Sequence, residues 1–150
     1  MPVDVLTEAV IDRPPDEVAA YAGDPSNAPR WYVNIVSAEW KTPPPMRIGS
    51  KLGFVAHFLG RRLAYTYEVV ELVPGRRLVM RTAQGAFPME TTYTWDAAGE
   101  GQTRMTLRNR GEPTGFSKMA APFMAAAMRR ANRKDLTRLK TLLERGGRLS

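Results

Sequence analysis

The chain has no cysteine and only one histidine, His57. Without cysteine there is no disulfide framework, thiolate nucleophile, zinc finger or iron–sulfur ligation. A single imidazole excludes a multi-histidine metal site, and neither a metal nor another cofactor is expected. There is no run of about 18 apolar residues able to span a bilayer as a helix. The opening Met1-Pro2-Val3-Asp4-Val5-Leu6 has no basic stretch ahead of an apolar one, so no secretion signal is read and a cytoplasmic location is expected. Internal repeats, low-complexity tracts and long linkers are also missing, so residues 1–150 read as one domain.

The 150 residues are 43% hydrophobic and 25% charged, an ordinary balance for a globular chain. That length buries about 68–70% of the unfolded surface, enough for a core without staples. The net charge of +7 is unevenly placed. From Arg104 onward, 12 basic residues face the three acids Glu112, Asp135 and Glu144, whereas residues 1–103 carry a small negative excess. The basicity belongs to the last strand and a C-terminal helix.

Val3 to Ile11 reads as a strand. Pro14-Pro15-Asp16-Glu17 then marks a helix start, with proline in the first turn and acids at the positive end of the dipole. That helix runs to about Tyr21. Gly23-Asp24-Pro25-Ser26 interrupts it before a second short helix ending at Trp31-Tyr32, and Val33 to Trp40 is extended. The period then becomes two. Lys51–Leu59, Arg62–Val73, Arg77–Ala83, Met89–Trp95 and Thr103–Arg110 have strand length and composition, and the short Gly- and Pro-containing turns between them imply an antiparallel meander. In the last strand Thr103, Met105, Leu107 and Asn109 share one face, opposite Arg104, Thr106, Arg108 and Arg110. A long amphipathic helix of about 24 residues starts near Pro122; Ala121, Ala125, Met128, Asn132, Leu136, Leu139 and Leu143 form its apolar stripe. Phe116, Met119 and Phe123 fall off that stripe.

The expected architecture is α+β. A curved antiparallel sheet of about seven strands wraps around the long C-terminal helix, with two short helices after the first strand, in a helix-grip arrangement. One helix covers only part of a concave sheet, which leaves a cavity between them. The chain resembles the START-like (SRPBCC) superfamily, in particular its bacterial polyketide cyclase/dehydrase branch. The residues carrying the resemblance are Arg13-Pro14-Pro15-Asp16-Glu17-Val18, Trp31, Gly49-Ser50, residues 69–78 (Val69 through Pro74-Gly75 to Leu78), residues 101–106 (Gly101 to Thr106) and the helix end Leu139 to Glu144. They mark turns and fold, not chemistry. The superfamily holds lipid and sterol carriers, hormone and polyphenol binders, and aromatase/cyclases, so the resemblance implies a hydrophobic small molecule as partner.

The candidate cavity lining is Trp31, Trp40, Phe54, Tyr65, Tyr67, Met80, Met89, Tyr93, Met105, Met119, Phe123 and Met124. Methionine's pliable thioether suits a cavity that adapts to varied shapes, although for any one of these side chains ordinary core packing is the plainer reading. Tyr65, Tyr67, Tyr93, Thr91 and Asn109 are candidate polar handles.

His57 alone has an ordinary pKa near neutrality and is a weak candidate base, but parity does not say which face of its strand it occupies. A structural or solvent-facing histidine is the plainer reading. No serine stands in a nucleophile elbow. Glu68 and Arg81 are expected on the wet face, since an unpaired buried charge is costly. The basic helix face (Arg129, Arg130, Arg133, Lys134, Arg138, Lys140) reads first as solvated surface, then as an attraction for anionic lipid headgroups or an acidic partner. Nucleic acid ranks last, for want of interleaved aromatics or a binding motif.

Two functions follow. One is binding or transport of a lipid, polyketide or aromatic metabolite; the other is a polyketide aromatase/cyclase or dehydrase that moves protons through His57 and the cavity tyrosines.

Overall fold

A computed structural model describes residues 3–58, 60–84, 88–111 and 121–146. Strand β1 (Val3–Ile11) leads into helix α1 (Pro15–Ala22). A single 3-10 turn over Pro25–Asn27 runs into α2 (Ala28–Trp31). Six strands follow: β2 (Ile35–Trp40), β3 (Lys51–Phe58), β4 (Arg61–Val73), β5 (Arg77–Gln84), β6 (Met89–Gly99) and β7 (Gln102–Gly111). Helix α3 (Ala121–Gly146) ends the described chain.

The seven strands form one antiparallel sheet in the order β1-β7-β6-β5-β4-β3-β2, so the expected meander is present and β1 closes its far edge against β7. Register shifts at Ile35/Ser37, Thr66/Tyr67, Val69/Glu71 and Ala97/Gly99 mark where strands bend and the sheet curls. Strand β6 extends four residues past the expected end at Trp95. Asp96 and Ala97 stay in register with Arg104 and Thr103, and only the Gly99–Gln102 pair closes the ladder. The Val73-Pro74-Gly75-Arg76 turn between β4 and β5 needs a positive φ at its third position, which Gly75 supplies at 76°. It is closed by the Arg76 N–H donating to the Val73 carbonyl at 2.9 Å.

Alternation sorts the faces. Thr103, Met105, Leu107 and Asn109 are all buried, as the pattern in β7 requires. The outer face carries cross-strand ion pairs: Arg108 forks onto Asp4, and Glu90 takes both Arg81 and Arg110. Arg81 is thus on the wet face. Glu68 is half-buried in the β3–β5 ladder, opposite Lys51 and Arg81.

Helix α3 lies across the concave face. Buried Leu136, Leu139 and Leu143 join the main core with Ile11, Val18 and Leu107. Its C-terminal end is pinned to the end of β1. Lys140 Nζ donates to the Val10 carbonyl at 2.9 Å, the Asp12 N–H donates to Glu144 Oε2 at 2.9 Å, and Arg13 Nη2 donates to the Glu144 carbonyl at 2.9 Å. At the other end, Met124 forms a separate small cluster with Val3 and Val5. No described helix is long and apolar enough to cross a membrane.

Candidate functional site

Between the main core and the small cluster at the start of α3 lies a cavity of about 130 Å³. Members of both clusters line it. Phe54, Tyr65, Tyr67, Met80 and Tyr93 belong to the main core or pack against it, whereas Phe58, Leu63, Met124 and Met128 belong to the smaller cluster. The apolar wall is therefore the meeting line of two incompletely joined cores.

Seven of the twelve candidate lining residues come together here: Phe54, Tyr65, Tyr67, Met80, Met89, Tyr93 and Met124. Others sit elsewhere. Trp31 is fully buried behind the wall, its ring 4.2 Å from Tyr32 and 5.7 Å from Tyr93 between centroids. Met105 is equally buried, across from Trp95 and Ala9, below the cavity. Trp40 packs at the far end of β2 against the core. Phe123 points outward with 60% exposure, because its neighbour Met124 takes the inward position at that turn. Met119 and Phe116 lie outside the described residues. His57 is exposed: Phe54, Ala56 and Phe58 face the cavity, so the opposite parity sends Val55 and His57 to the outer face.

Two hydroxyl systems face the cavity. Thr91 Oγ1 donates to Asn109 Oδ1 at 2.6 Å. A hydroxyl has one proton, so Tyr67 must be the donor in its 2.7 Å bond to Thr91. Burial pushes the Tyr67 phenol up to about 12, although the bond to Thr91 pulls the other way. The Tyr32 and Tyr93 hydroxyls meet at 2.6 Å, and burial raises both phenols well above the usual range. Tyr65 is raised for the same reason, and its hydroxyl has no hydrogen-bond partner among the described residues. All four tyrosines therefore remain protonated at neutral pH.

Helix α3 contributes what sequence reasoning overlooked. Asp135 lines the cavity at 2% exposure, and its Oδ1 accepts from the Val33 N–H at 2.8 Å. Burial pushes its carboxyl up to about 7; the Val33 N–H and more distant Arg138 oppose that rise. A charge on Asp135 is felt by Tyr32, Tyr65 and Tyr93. One turn earlier, Asn132 is 4% exposed and its Nδ2 is buried without a partner. The signal was available: Asp135 is the only acid between Arg129 and Lys140, and it flanks the apolar stripe between Asn132 and Leu136. No Lys or Arg lines the cavity among the described residues. Nor do the described residues contain a group of three or more His, Asp or Glu placed to hold a metal.

A family model described as polyketide cyclase/dehydrase and lipid transport matches residues 2–144. The chain belongs to the polyketide cyclase/dehydrase and lipid transport family. Solved structures agree on this family's fold. A Mycobacterium smegmatis START superfamily protein matches with a TM-score of 0.81 at 14% identity, over 95% of this chain and 97% of that one. A Thermus thermophilus protein matches at 0.78 and 22% identity, over 92% and 94%. The Zhui aromatase/cyclase from a Streptomyces species matches at 0.77 and 16% identity, over 97% and 96%. At these identities the likeness extends to the fold, the START-like sheet and helix. No curated protein sequence matches the chain.

Proposed function

We propose that this family member binds a hydrophobic small molecule between the sheet and α3. The observation that carries this reading is the apolar cavity itself, whose wall is broken at one side by tyrosine hydroxyls, Asn132 and Asp135. Ligand sites have this composition, a mostly apolar concavity with a few placed polar groups. A dry engineered cavity of about 150 Å³ holds benzene, so the present space suits one ring. Native mass spectrometry of freshly purified protein, followed by extraction, tests the proposal. A co-purifying apolar metabolite supports it. An unliganded mass, together with no displacement of an apolar fluorescent dye by any lipid or aromatic compound, sinks it.

A second reading is favoured by Asp135. A carboxyl pushed up to about 7 beside two bonded phenols can take and return a proton at neutral pH. That is the equipment an aldol-type cyclisation or dehydration of a polyketide requires, with no covalent nucleophile. In this reading Asp135→Asn abolishes turnover of a polyketide substrate, while a carrier bound to the same molecule shows no turnover to lose.

The family's lipid connection also directs attention to α3. Exposed Phe123, Arg130 and Lys134 fall on one face of the helix, an apolar tip beside cations suited to a transient anionic membrane contact. Flotation with anionic vesicles that is lost as salt rises would support such docking; salt-independent flotation, or none, removes it.

A further inference from the structure

Resting on the reading of this cavity as a ligand site, we propose that it takes a hydrophobic amine, with the ammonium seated against Asp135 among the tyrosine rings, and that it disfavours carboxylate ligands such as fatty acids. The observation is a charge imbalance inside an apolar space. In a chain of net charge +7, the one charged group lining the cavity among the described residues is an acid. Asp135 is 2% exposed, has a single hydrogen bond, from the Val33 N–H, and forms no ion pair among the described residues. Its nearest cationic influence, Arg138, is exposed on the helix. A buried carboxylate without a cation is costly, and a ligand that brings one recovers that cost.

The surroundings favour an ammonium over a plain hydroxyl. Tyr32, Tyr65 and Tyr93 are near enough for Asp135 to act on their phenols, and Phe54 and Tyr67 complete an aromatic wall 5.1 to 5.9 Å between neighbouring centroids with Tyr65. Aromatic faces attract cations, and more strongly when water is excluded. Phenolic oxygens add acceptors, so a desolvated ammonium finds partners for its three protons. An oxygen beside the amine would also satisfy Asn132 Nδ2, which is buried without a partner. A carboxylate in the same place would meet Asp135 as a like charge, with no Arg or Lys in the described lining to offset it.

The test uses the intact protein and three probes that share one apolar ring: benzylamine, benzyl alcohol and benzoate, titrated by calorimetry. The amine is expected to bind about tenfold more tightly than the alcohol, the difference a charge-assisted hydrogen bond supplies, and benzoate most weakly. The groups facing Asp135 are Tyr32, Tyr65 and Tyr93 from α2's end, β4 and β6, and Arg138 on its own helix; the tyrosines stay neutral across the neutral range. Ionisation of Asp135 alone then makes amine affinity rise by up to about tenfold between about pH 6 and pH 8, while the alcohol's changes little. On Asp135→Asn the amine and alcohol should bind equally and the pH dependence should vanish. If that variant fails to fold, the wild-type ranking and pH profile still decide. Benzyl alcohol or benzoate binding as tightly as the amine overturns the amine proposal and leaves the cavity reading intact. Failure of all three probes overturns it as well, and the native mass spectrum then decides separately whether the cavity reading stands.

Discussion

Asp135 holds its proton far longer in the folded chain than in the unfolded one, and stability must follow that difference. Because the folded carboxyl is raised, its contribution is fully present below the unfolded value, near pH 4, and is lost as pH climbs through about 7. Wild type and Asp135→Asn are therefore expected to unfold at similar temperatures at about pH 4. Above about pH 7 the variant should be more stable, by on the order of 2–4 kcal/mol. Thermal melts across that range check this, and parallel curves would show that Asp135 is not buried as described. The Tyr67–Thr91–Asn109 chain yields a second expectation from proton counting. Thr91→Val strands both the Tyr67 hydroxyl and Asn109 Oδ1, at about 1–3 kcal/mol, whereas Tyr67→Phe removes only a donor and should cost about 1 kcal/mol. Urea titrations that reverse this order would refute the assigned donor direction.

At the scale of elements, α3 does two jobs along one length. Its C-terminal half is core, with Leu139 fully buried and Glu144 and Lys140 tying it to the end of β1. Its middle turns instead present Met128, Asn132 and Asp135 to the cavity. Leu139→Ala should cost about 2–5 kcal/mol, against less than about 1 kcal/mol for Leu142→Ala at 36% exposure; denaturant midpoints distinguish them. The helix stripe was legible because a 3.6-residue period shows in the apolar residues. Asp135 was passed over, because a polar residue on an inward face looks, in one dimension, like the polar residues of the outward face; only its place as a lone acid beside the stripe set it apart. The β7 pattern was readable throughout for the converse reason. Period two puts Arg and apolar residues on strictly opposite sides, and a bonded partner on each edge leaves no freedom to rotate.

For the whole molecule, the energetic signature of function is linkage. A ligand that binds only the folded state, present at 100 times its Kd, should stabilise the protein by about 2.7 kcal/mol and raise the melting temperature by roughly 5–10 °C. A co-purified metabolite added back to stripped protein gives that measurement, and an unchanged melting temperature would argue that the metabolite is surface-bound. The basic excess offers a contrast of scales. It dominates the sequence count, yet the charges in view are on the outer sheet face and on solvent-facing turns of α3, while the cavity holds an acid. Net charge describes the surface a partner first meets, and says nothing of the interior a ligand finally occupies.

Composition and periodicity were sufficient by themselves for the seven strands, the short helices and the closing helix, because turn residues and apolar spacing are local properties that survive in one dimension; the family entered through resemblance of specific motifs, such as Pro74-Gly75 and the residues around them. They also singled out seven cavity residues, among them Phe54, Tyr65 and Tyr93, since large apolar side chains on the inward parity have nowhere else to go. Tertiary structure alone decided the rest. It placed His57 outside, because the same parity that brings Phe54 and Phe58 inward excludes it. It put Trp31 and Met105 behind the wall, because depth within a core depends on which layer lies above. And it drew Asp135, Tyr32 and Tyr93 from α3, the end of α2 and β6 to one point. That convergence joins segments up to 103 residues apart, from Tyr32 to Asp135, and only the curl of the sheet beneath the helix creates it.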